Sequence, residues 1–185
     1  MTPVVLSTPR LILRVPEAGD FDDWARFCAD AETMRYLGGV QDRATAWRTM
    51  CGMAGAWIVR GFSMFSVIAR DSGRWIGRVG PWQPEGWPGT EVGWGILPEC
   101  TGRGLAQEAA VATIDYAVDV LRWSDVIHTI HPDNHASIAL AVRLGSTLRG
   151  PARLPAPLDA MRVDVWGQSA ETWRAARRSR ESAPR

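Results

Sequence analysis

Lysine is missing from this chain of 185 residues: all 21 basic side chains are arginines, set against 20 acidic ones. A lysine nucleophile, a Schiff base and a phosphate loop closed by lysine are therefore excluded. An excess of one charge is missing too. The net charge of +1 leaves no electrostatic footprint for nucleic acid or an acidic membrane surface. Cysteine is scarce, with Cys28, Cys51 and Cys100 widely spaced. Such a set builds neither a disulfide framework nor a CxxC metal pair, and it suits a reducing compartment. His128, His131 and His135 cluster without Cys or Glu at ligand spacing, so no metal is expected. No apolar run approaches a membrane span, and Met1-Thr2-Pro3-Val4 places no charged region ahead of a hydrophobic one. The expectation is a cytoplasmic protein with no membrane or nucleic-acid partner. It is expected to form one domain over residues 1–185, with its core at about residues 6–175 and a frayed tail.

What the chain does have is tryptophan, ten in all, and clear periodicity. Leu11-Ile12-Leu13 reads as a first strand that Pro16 ends. Asp20 caps a helix with Phe21, Trp24, Ala25, Phe27 and Cys28 at helical spacing, and a second helix runs from about Arg43 to Val59. Phe62–Ala69 and Trp75–Val79 flank Asp71-Ser72-Gly73, a hairpin turn. A rigid aromatic stretch, Pro81–Gly89, precedes a strand over Thr90–Leu97. The helix after it, from about Gly104 to Leu121, is apolar apart from a narrow wet stripe of Glu108, Asp115 and Asp119. Val126–Ile130 is a strand, and Asp133 or Asn134 caps a helix that Gly145 closes. Thr147–Arg149 and Met161–Trp166 form a final strand pair ahead of an arginine-rich helix over about Ser169–Ser179. Strand–loop–helix–strand at the centre implies a parallel pair, and the front hairpin implies antiparallel ones. The fold class is α/β, a mixed sheet with helices on both faces.

The most informative segment is Leu97-Pro98-Glu99-Cys100-Thr101-Gly102-Arg103-Gly104-Leu105-Ala106. It lies between a strand and a long helix, where unpaired N–H groups and the helix dipole favour an anion. The third glycine of a dinucleotide fingerprint is absent, and no Gly-Lys-Ser/Thr follows. On its own the loop is either a compact pyrophosphate cradle or a tight turn into a helix.

Its neighbours resemble the GNAT superfamily of acetyl-CoA-dependent N-acetyltransferases, in its RimJ/RimL-like branch. Ser7-Thr8-Pro9-Arg10-Leu11-Ile12-Leu13-Arg14 is similar to that branch's opening strand, and Glu91-Val92-Gly93-Trp94 to its central strand. Asn134-His135-Ala136-Ser137-Ile138 with Leu144-Gly145 resembles its Asn-bearing helix, and Arg162–Gly167 its closing strand. The resemblance spans about residues 6–175. Thr101 stands where Gln or Arg is usual, Ser146 replaces a phenylalanine, and Ala141 takes the place of the superfamily's tyrosine acid.

The resemblance implies a GNAT fold of six to seven strands with a splayed central parallel pair. It implies acetyl transfer from acetyl-CoA to an amine in a ternary complex, without a metal. Gly102, Arg103, Gly104, Leu105 and Ala106 would hold the pyrophosphate, and the N–H groups of Ile96 and Leu97 the pantetheine arm. Asn134 and Ser137 would contact the pantetheine and its acetyl end, or would serve in capping alone. Glu91, the one carboxylate of an apolar strand, is the candidate base, or else a solvated strand residue or a structural ion-pair member. Ser137 is the candidate acid. Trp24, Tyr36, Trp82 and Glu91 would line the acceptor side. The acceptor is a small amine or a protein N-terminus, and the protein a monomer or homodimer. A catalytically silent acyl-CoA-binding module on the same fold is the alternative. His131 as an acceptor-side residue and Cys100 as an acetyl-carrying thiol are weaker candidates.

Overall fold

Leucines at Leu11 and Leu13 have no exposed surface while Ile12 and Arg14 are half-buried, the period-2 pattern of a strand with one face inward. The computed structural model describes residues 4–181; the first three residues and the tail after Glu181 lie outside the described residues. The chain gathers into two compact units.

The first unit comprises residues up to Trp82 together with Val92–Thr113. Strands β1 (Val5–Ser7), β2 (Leu11–Arg14), β3 (Phe65–Ala69) and β4 (Trp75–Trp82) are antiparallel neighbours in that order. Strand β5 (Glu91–Ile96) borders β4. Ser66 faces Arg78 across β3 and β4. The hairpin turn forms at Asp71-Ser72-Gly73, where Gly73 has φ +68° and its N–H donates to Ala69 O. Helix α1 (Phe21–Ala29) buries Trp24, Ala25, Phe27 and Cys28, and Trp24 and Phe27 each lie 5.6 Å from the Trp75 ring. A four-residue helix α2 (Ala31–Met34) follows, which the sequence did not announce. Helix α3 (Arg43–Val59) starts where the Asp42 carboxylate accepts from Thr45 N at 2.7 Å.

Asp20 does not cap α1 as expected. Its buried carboxylate instead accepts from both terminal nitrogens of Arg14, from Ser66 Oγ and from Glu17 N. Burial raises its pKa, but these partners outweigh burial and hold it below its ordinary value. A competing set of four donors explains why the side chain turns away from the helix.

The second unit comprises Gln83–Glu91 and the chain from Ile114 onward. Glu91, the first residue of β5, pairs in parallel register with Ile127 of β6 (Asp125–Ile130). Strand β8 (Val163–Ser169) pairs antiparallel with β6 and with β7 (Thr147–Ala152). Helix α5 (His135–Arg143) begins at Asn134 and ends before Gly145, which has φ +91°.

Helix α4 (Leu105–Asp119) ends two residues short of expectation, and the carboxylates of its wet stripe are half-exposed but paired. Asp115 accepts from the Trp173 indole and Arg177, and Asp119 from Arg174 and Arg177, all on α6 (Ala170–Glu181). Glu108 is engaged at the other end. A long apolar helix therefore uses its few carboxylates as docking points for arginines that sequence leaves unassigned.

The fold is mixed α/β with one parallel pair, β5 and β6, as expected. Eight strands form among the described residues instead of six to seven. The addition is β1, three residues long and too short for periodicity to reveal.

Candidate active site

Within the first unit, the loop between β5 and α4 has the geometry of an anion cradle. Gly102 and Gly104 take φ of +72° and +74°, where a side chain would be strained, and no atom lies within 4 Å of a Cβ placed on Gly102. Glu108 N is the first amide of α4 to find a backbone carbonyl, that of Gly104 at 3.0 Å. The amides of Leu105, Ala106 and Gln107 therefore open the helix as orphan donors beside the positive end of its dipole. Arg103 is exposed beside them. The Thr101 hydroxyl turns to Pro98 O at 2.8 Å, closing the turn that precedes the cradle. A phosphate group fits this loop, which offers backbone donors, open space and an arginine.

A carboxylate in the first turn would repel that phosphate, and Glu108 is such a carboxylate. It is neutralised in place. Its Oε1 accepts from Thr8 Oγ1 at 2.6 Å and Arg10 N at 2.8 Å, and its Oε2 from Arg10 Nε at 2.6 Å. Burial acts to raise its pKa, but Thr8 and Arg10 prevail and hold it down. Arg10 also donates to the Arg103 carbonyl at 2.9 Å, so one side chain ties the N-terminal strand region to the loop.

Strand β5 leads into the loop. A Cβ on Gly95 would lie 2.8 Å from Phe27 Cζ and 3.2 Å from Leu37 Cδ1, so only glycine admits these side chains against the strand. Ile96 ends β5 half-buried. The expectation for Leu97 fails: its N–H donates to Ile76 O at 2.8 Å, completing the ladder with β4, and is not open to a ligand. Of the aromatics expected on the acceptor side, Trp24 has no exposed surface, while Tyr36 and Trp82 are half-buried.

Within the second unit, Glu91 is only 7 % exposed. Its Oε2 accepts from Trp87 Nε1 at 2.6 Å and Thr129 Oγ1 at 2.7 Å. Burial pushes its pKa up to about 7, against the opposing pull of these hydrogen bonds and the Thr129 backbone. Neither side-chain donor engages Oε1. A carboxylate with one oxygen fixed and a pKa near neutrality is suited to taking a proton at physiological pH. Among the described residues no ion pair forms at Glu91.

Asn134 Oδ1 accepts from Ser137 N at 3.2 Å, so the Asn134 carbonyl serves as the cap of α5. Ser137 is half-buried in the first turn. His128 is buried, with Nε2 3.1 Å from Ser146 Oγ, and Gln168 donates to the same hydroxyl. Ser146 thus belongs to a buried polar network. His131 follows the end of β6 rather than lying within it, and its Nδ1 accepts from Asp133 N at 3.1 Å. Cys100 is buried, and burial and then Glu99 push its thiol up, opposite to the shift that would favour an acetyl-carrying thiolate.

The site residues expected from sequence thus divide between the units, the loop and Ile96 in the first, Glu91, Asn134 and Ser137 in the second. Sequence reasoning missed Thr129, the role of Trp87 as a donor, and the Arg10–Glu108 clamp. The clamp left a trace, since Glu108 breaks an apolar helix in its first turn and Arg10 opens a strand. Among the described residues, no group of three or more His, Cys, Asp and Glu is arranged to hold a metal. No helix among them is long and apolar enough to cross a membrane.

Comparison with known proteins bears on this arrangement. A family model described as "Acetyltransferase (GNAT) domain" matches residues 10–147. The uncharacterized N-acetyltransferase YnaD of Bacillus subtilis is 27 % identical over 146 residues, 78 % of this chain and 84 % of that protein. An acetyltransferase from Agrobacterium tumefaciens superposes with a TM-score of 0.80 at 29 % identity, covering 91 % of this chain and 95 % of its own. RimL, a ribosomal L7/L12 α-N-protein acetyltransferase, shares the fold at a TM-score of 0.75 and 14 % identity, over 90 % and 94 % of the two chains.

Proposed function

The chain belongs to the GNAT acetyltransferase family, and from that premise we propose that it transfers acetyl from acetyl-CoA directly to a primary amine, with Glu91 as the base. The observation that carries this is the Glu91 carboxylate, buried, held at Oε2 by Trp87 and Thr129, and titrating near pH 7. Acetyl-CoA, when bound, supplies a thioester carbonyl carbon to a neutral amine, and its thiol is the leaving group.

The chain's own residues do the rest. Orphan amides at Leu105 and Ala106, with Gly102, Gly104 and Arg103, bind the pyrophosphate. Ile96 lies at the end of β5, where its backbone N–H serves the pantetheine arm. Glu91 removes the ammonium proton through Oε1, directly or across one water, and frees the nitrogen lone pair for attack. The new C–N bond forms as the C–S bond breaks. The nitrogen loses its second proton as the amide forms, and Ser137 relays that proton to the departing thiolate, its own hydroxyl restored; Asn134 holds the turn that presents it. Along β5, Glu91 shares parity with Gly93 and Gly95, so the base and the glycines alternate with the apolar Val92, Trp94 and Ile96.

Two measurements test this reading. In thermal shift, acetyl-CoA should stabilise the protein and NAD or ATP should not; stabilisation by a nucleotide alone overturns it. Thiol release from acetyl-CoA should then accelerate with at least one member of a panel of amino acids, polyamines, aminoglycosides and peptide N-termini. Binding of acetyl-CoA with silence across that panel would favour a non-catalytic acyl-CoA-binding module.

A further inference from the structure

Trp87 and Thr129 both donate to one oxygen of Glu91, and the two donors are not equivalent. A hydroxyl can turn and accept, whereas an indole N–H can only donate. With a proton on Oε2, the Thr129 hydroxyl could reverse, but the indole would be left facing a weaker hydroxyl acceptor. The oxygen 2.6 Å from Trp87 Nε1 is therefore kept as an acceptor whether the carboxyl is charged or neutral. No charged side chain pairs with Glu91 among the described residues. Asp125 is taken by Arg149, His128 turns to Ser146, and Glu85 is exposed.

The segment from Pro84 to Thr90 fixes the indole, and it lies wholly within the second unit. Trp87 N donates to Pro84 O at 3.1 Å, and Gly86 takes φ +77°, the conformation that a type II turn requires of its third residue. A Cβ on Gly86 would meet Pro155 Cβ at 3.4 Å, so the turn lies against the connection between β7 and β8. Pro88 follows Trp87, and a residue before proline is held to extended backbone. Beyond the proline the chain is fastened to β6. A Cβ on Gly89 would come 3.0 Å from Ile127 Cδ1, Thr90 Oγ1 donates to Asp125 O at 2.6 Å, and Ile127 N donates to Thr90 O at 2.9 Å. A turn, a proline and a strand register thus leave Trp87 little freedom to follow the carboxyl if it rotates.

We infer that Trp87 is the positioning residue of Glu91: its donor-only indole keeps Oε2 an acceptor in both protonation states and confines the exchanged proton to Oε1. The catalytic meaning of this rests on the reading of Glu91 as the base. The proton taken from the acceptor ammonium enters at Oε1, the nitrogen keeps the lone pair, and the same oxygen later releases the proton to water. No bond to hydrogen forms or breaks at Oε2. One carboxylate oxygen is thereby held at a constant place and orientation through the cycle, which a threonine alone would not ensure.

Proton–nitrogen NMR of the indoles, recorded from pH 5.5 to 8.5, reads the contact without any assay of activity. Of the ten tryptophans, Trp87 should show a resonance that moves with a midpoint near pH 7 and stops moving in Glu91→Gln. At pH 5.5 it should stay downfield of its position in Glu91→Val, because the neutral carboxyl still accepts through Oε2. A Trp87 resonance that does not titrate, or that collapses at acid pH to its position in Glu91→Val, overturns the inference. These spectra need no Trp87 variant, so they decide it even if Trp87→Phe fails to fold. In the thiol-release assay, Trp87→Phe should move the acid limb of kcat/KM to higher pH by about one unit. It should also lower the plateau above the bend by roughly tenfold, with the KM for acetyl-CoA unchanged. Added to Glu91→Gln, Trp87→Phe should cost nothing more, since it acts through that carboxylate. An unchanged pH profile, or a further loss of the same size in the double variant, overturns the positioning role. If no acceptor supports thiol release, the reading of Glu91 as a base fails, and the confinement of its proton to Oε1 is judged on the spectra alone.

Discussion

Replacing Glu91 with glutamine should make the protein more stable at alkaline pH and leave its stability nearly unchanged at acid pH. The folded-state pKa of about 7 lies above the ordinary glutamate value of 4.5. A carboxyl whose pKa rises on folding binds more protons in the folded state between those two values. Stability therefore falls as pH rises through this window. Below about pH 4.5 the carboxyl is neutral in both states and has no differential cost. Above pH 7 it is ionised in both, and the folded state carries the full cost of a buried charge. At about 1.4 kcal/mol per pKa unit, the shift from 4.5 to about 7 corresponds to about 3 kcal/mol. Glu91 is only 7 % exposed, so little of this is lost to solvent screening. Glutamine fills the same volume, and its amide oxygen accepts from Trp87 and Thr129 as Oε2 does. For a chain of this size, about 3 kcal/mol is roughly 6–12 °C in melting temperature. Melting of the wild type and Glu91→Gln at half-unit steps from pH 4.5 to 8.5 reads the difference directly. The gap should open across pH 5–7 with the variant on top. A gap constant with pH, or one that favours the wild type at pH 8, refutes the claim that burial raises this carboxyl.

The other predictions concern partners of the site. Thr129→Val removes a hydrogen bond that favours the ionised carboxylate, so the acid limb of the kcat/KM profile should move to higher pH by about one unit. Arg10→Met leaves Glu108 in the first turn of α4 with its hydrogen bonds from Thr8 and the residue-10 amide but without the guanidinium that offsets its charge. Steady-state kinetics should show the KM for acetyl-CoA rising about tenfold with a smaller change in kcat, and Arg10→Lys should recover part of the loss. Gly95→Ala places a Cβ 2.8 Å from Phe27 Cζ, and denaturant melts should show a loss of about 1–3 kcal/mol.

Local signals carried most of the architecture. Period-2 leucines placed β2, helical spacing of Trp24, Phe27 and Cys28 placed α1, and a glycine-bearing turn between strand and helix placed the loop. Glu91 was legible because a lone carboxylate in an apolar strand is costly without a task. What stayed hidden depends on contacts far apart in sequence. Thr129 lies 38 residues from Glu91, and nothing in its own strand marks it as the donor to that carboxylate. Arg10 and Glu108 are 98 residues apart, and the arginines that engage Asp115 and Asp119 are 55 to 62 residues away. Asp20 and Leu97 were misread for a related reason. Each has a sound local role, helix cap or free strand-end donor, that a tertiary partner takes over: Arg14 and Ser66 for one, the Ile76 carbonyl for the other.

The pH–rate profile of thiol release from acetyl-CoA, measured in parallel for the wild type and Glu91→Gln, tests the central claim most directly. The wild-type kcat/KM should rise with unit slope to a bend near pH 7, where the base ionises. Glu91→Gln should lose about 10²- to 10⁴-fold at pH 8 and lose that bend, while its affinity for acetyl-CoA is unchanged. A variant that keeps both wild-type turnover and the bend near pH 7 would contradict Glu91 as the base.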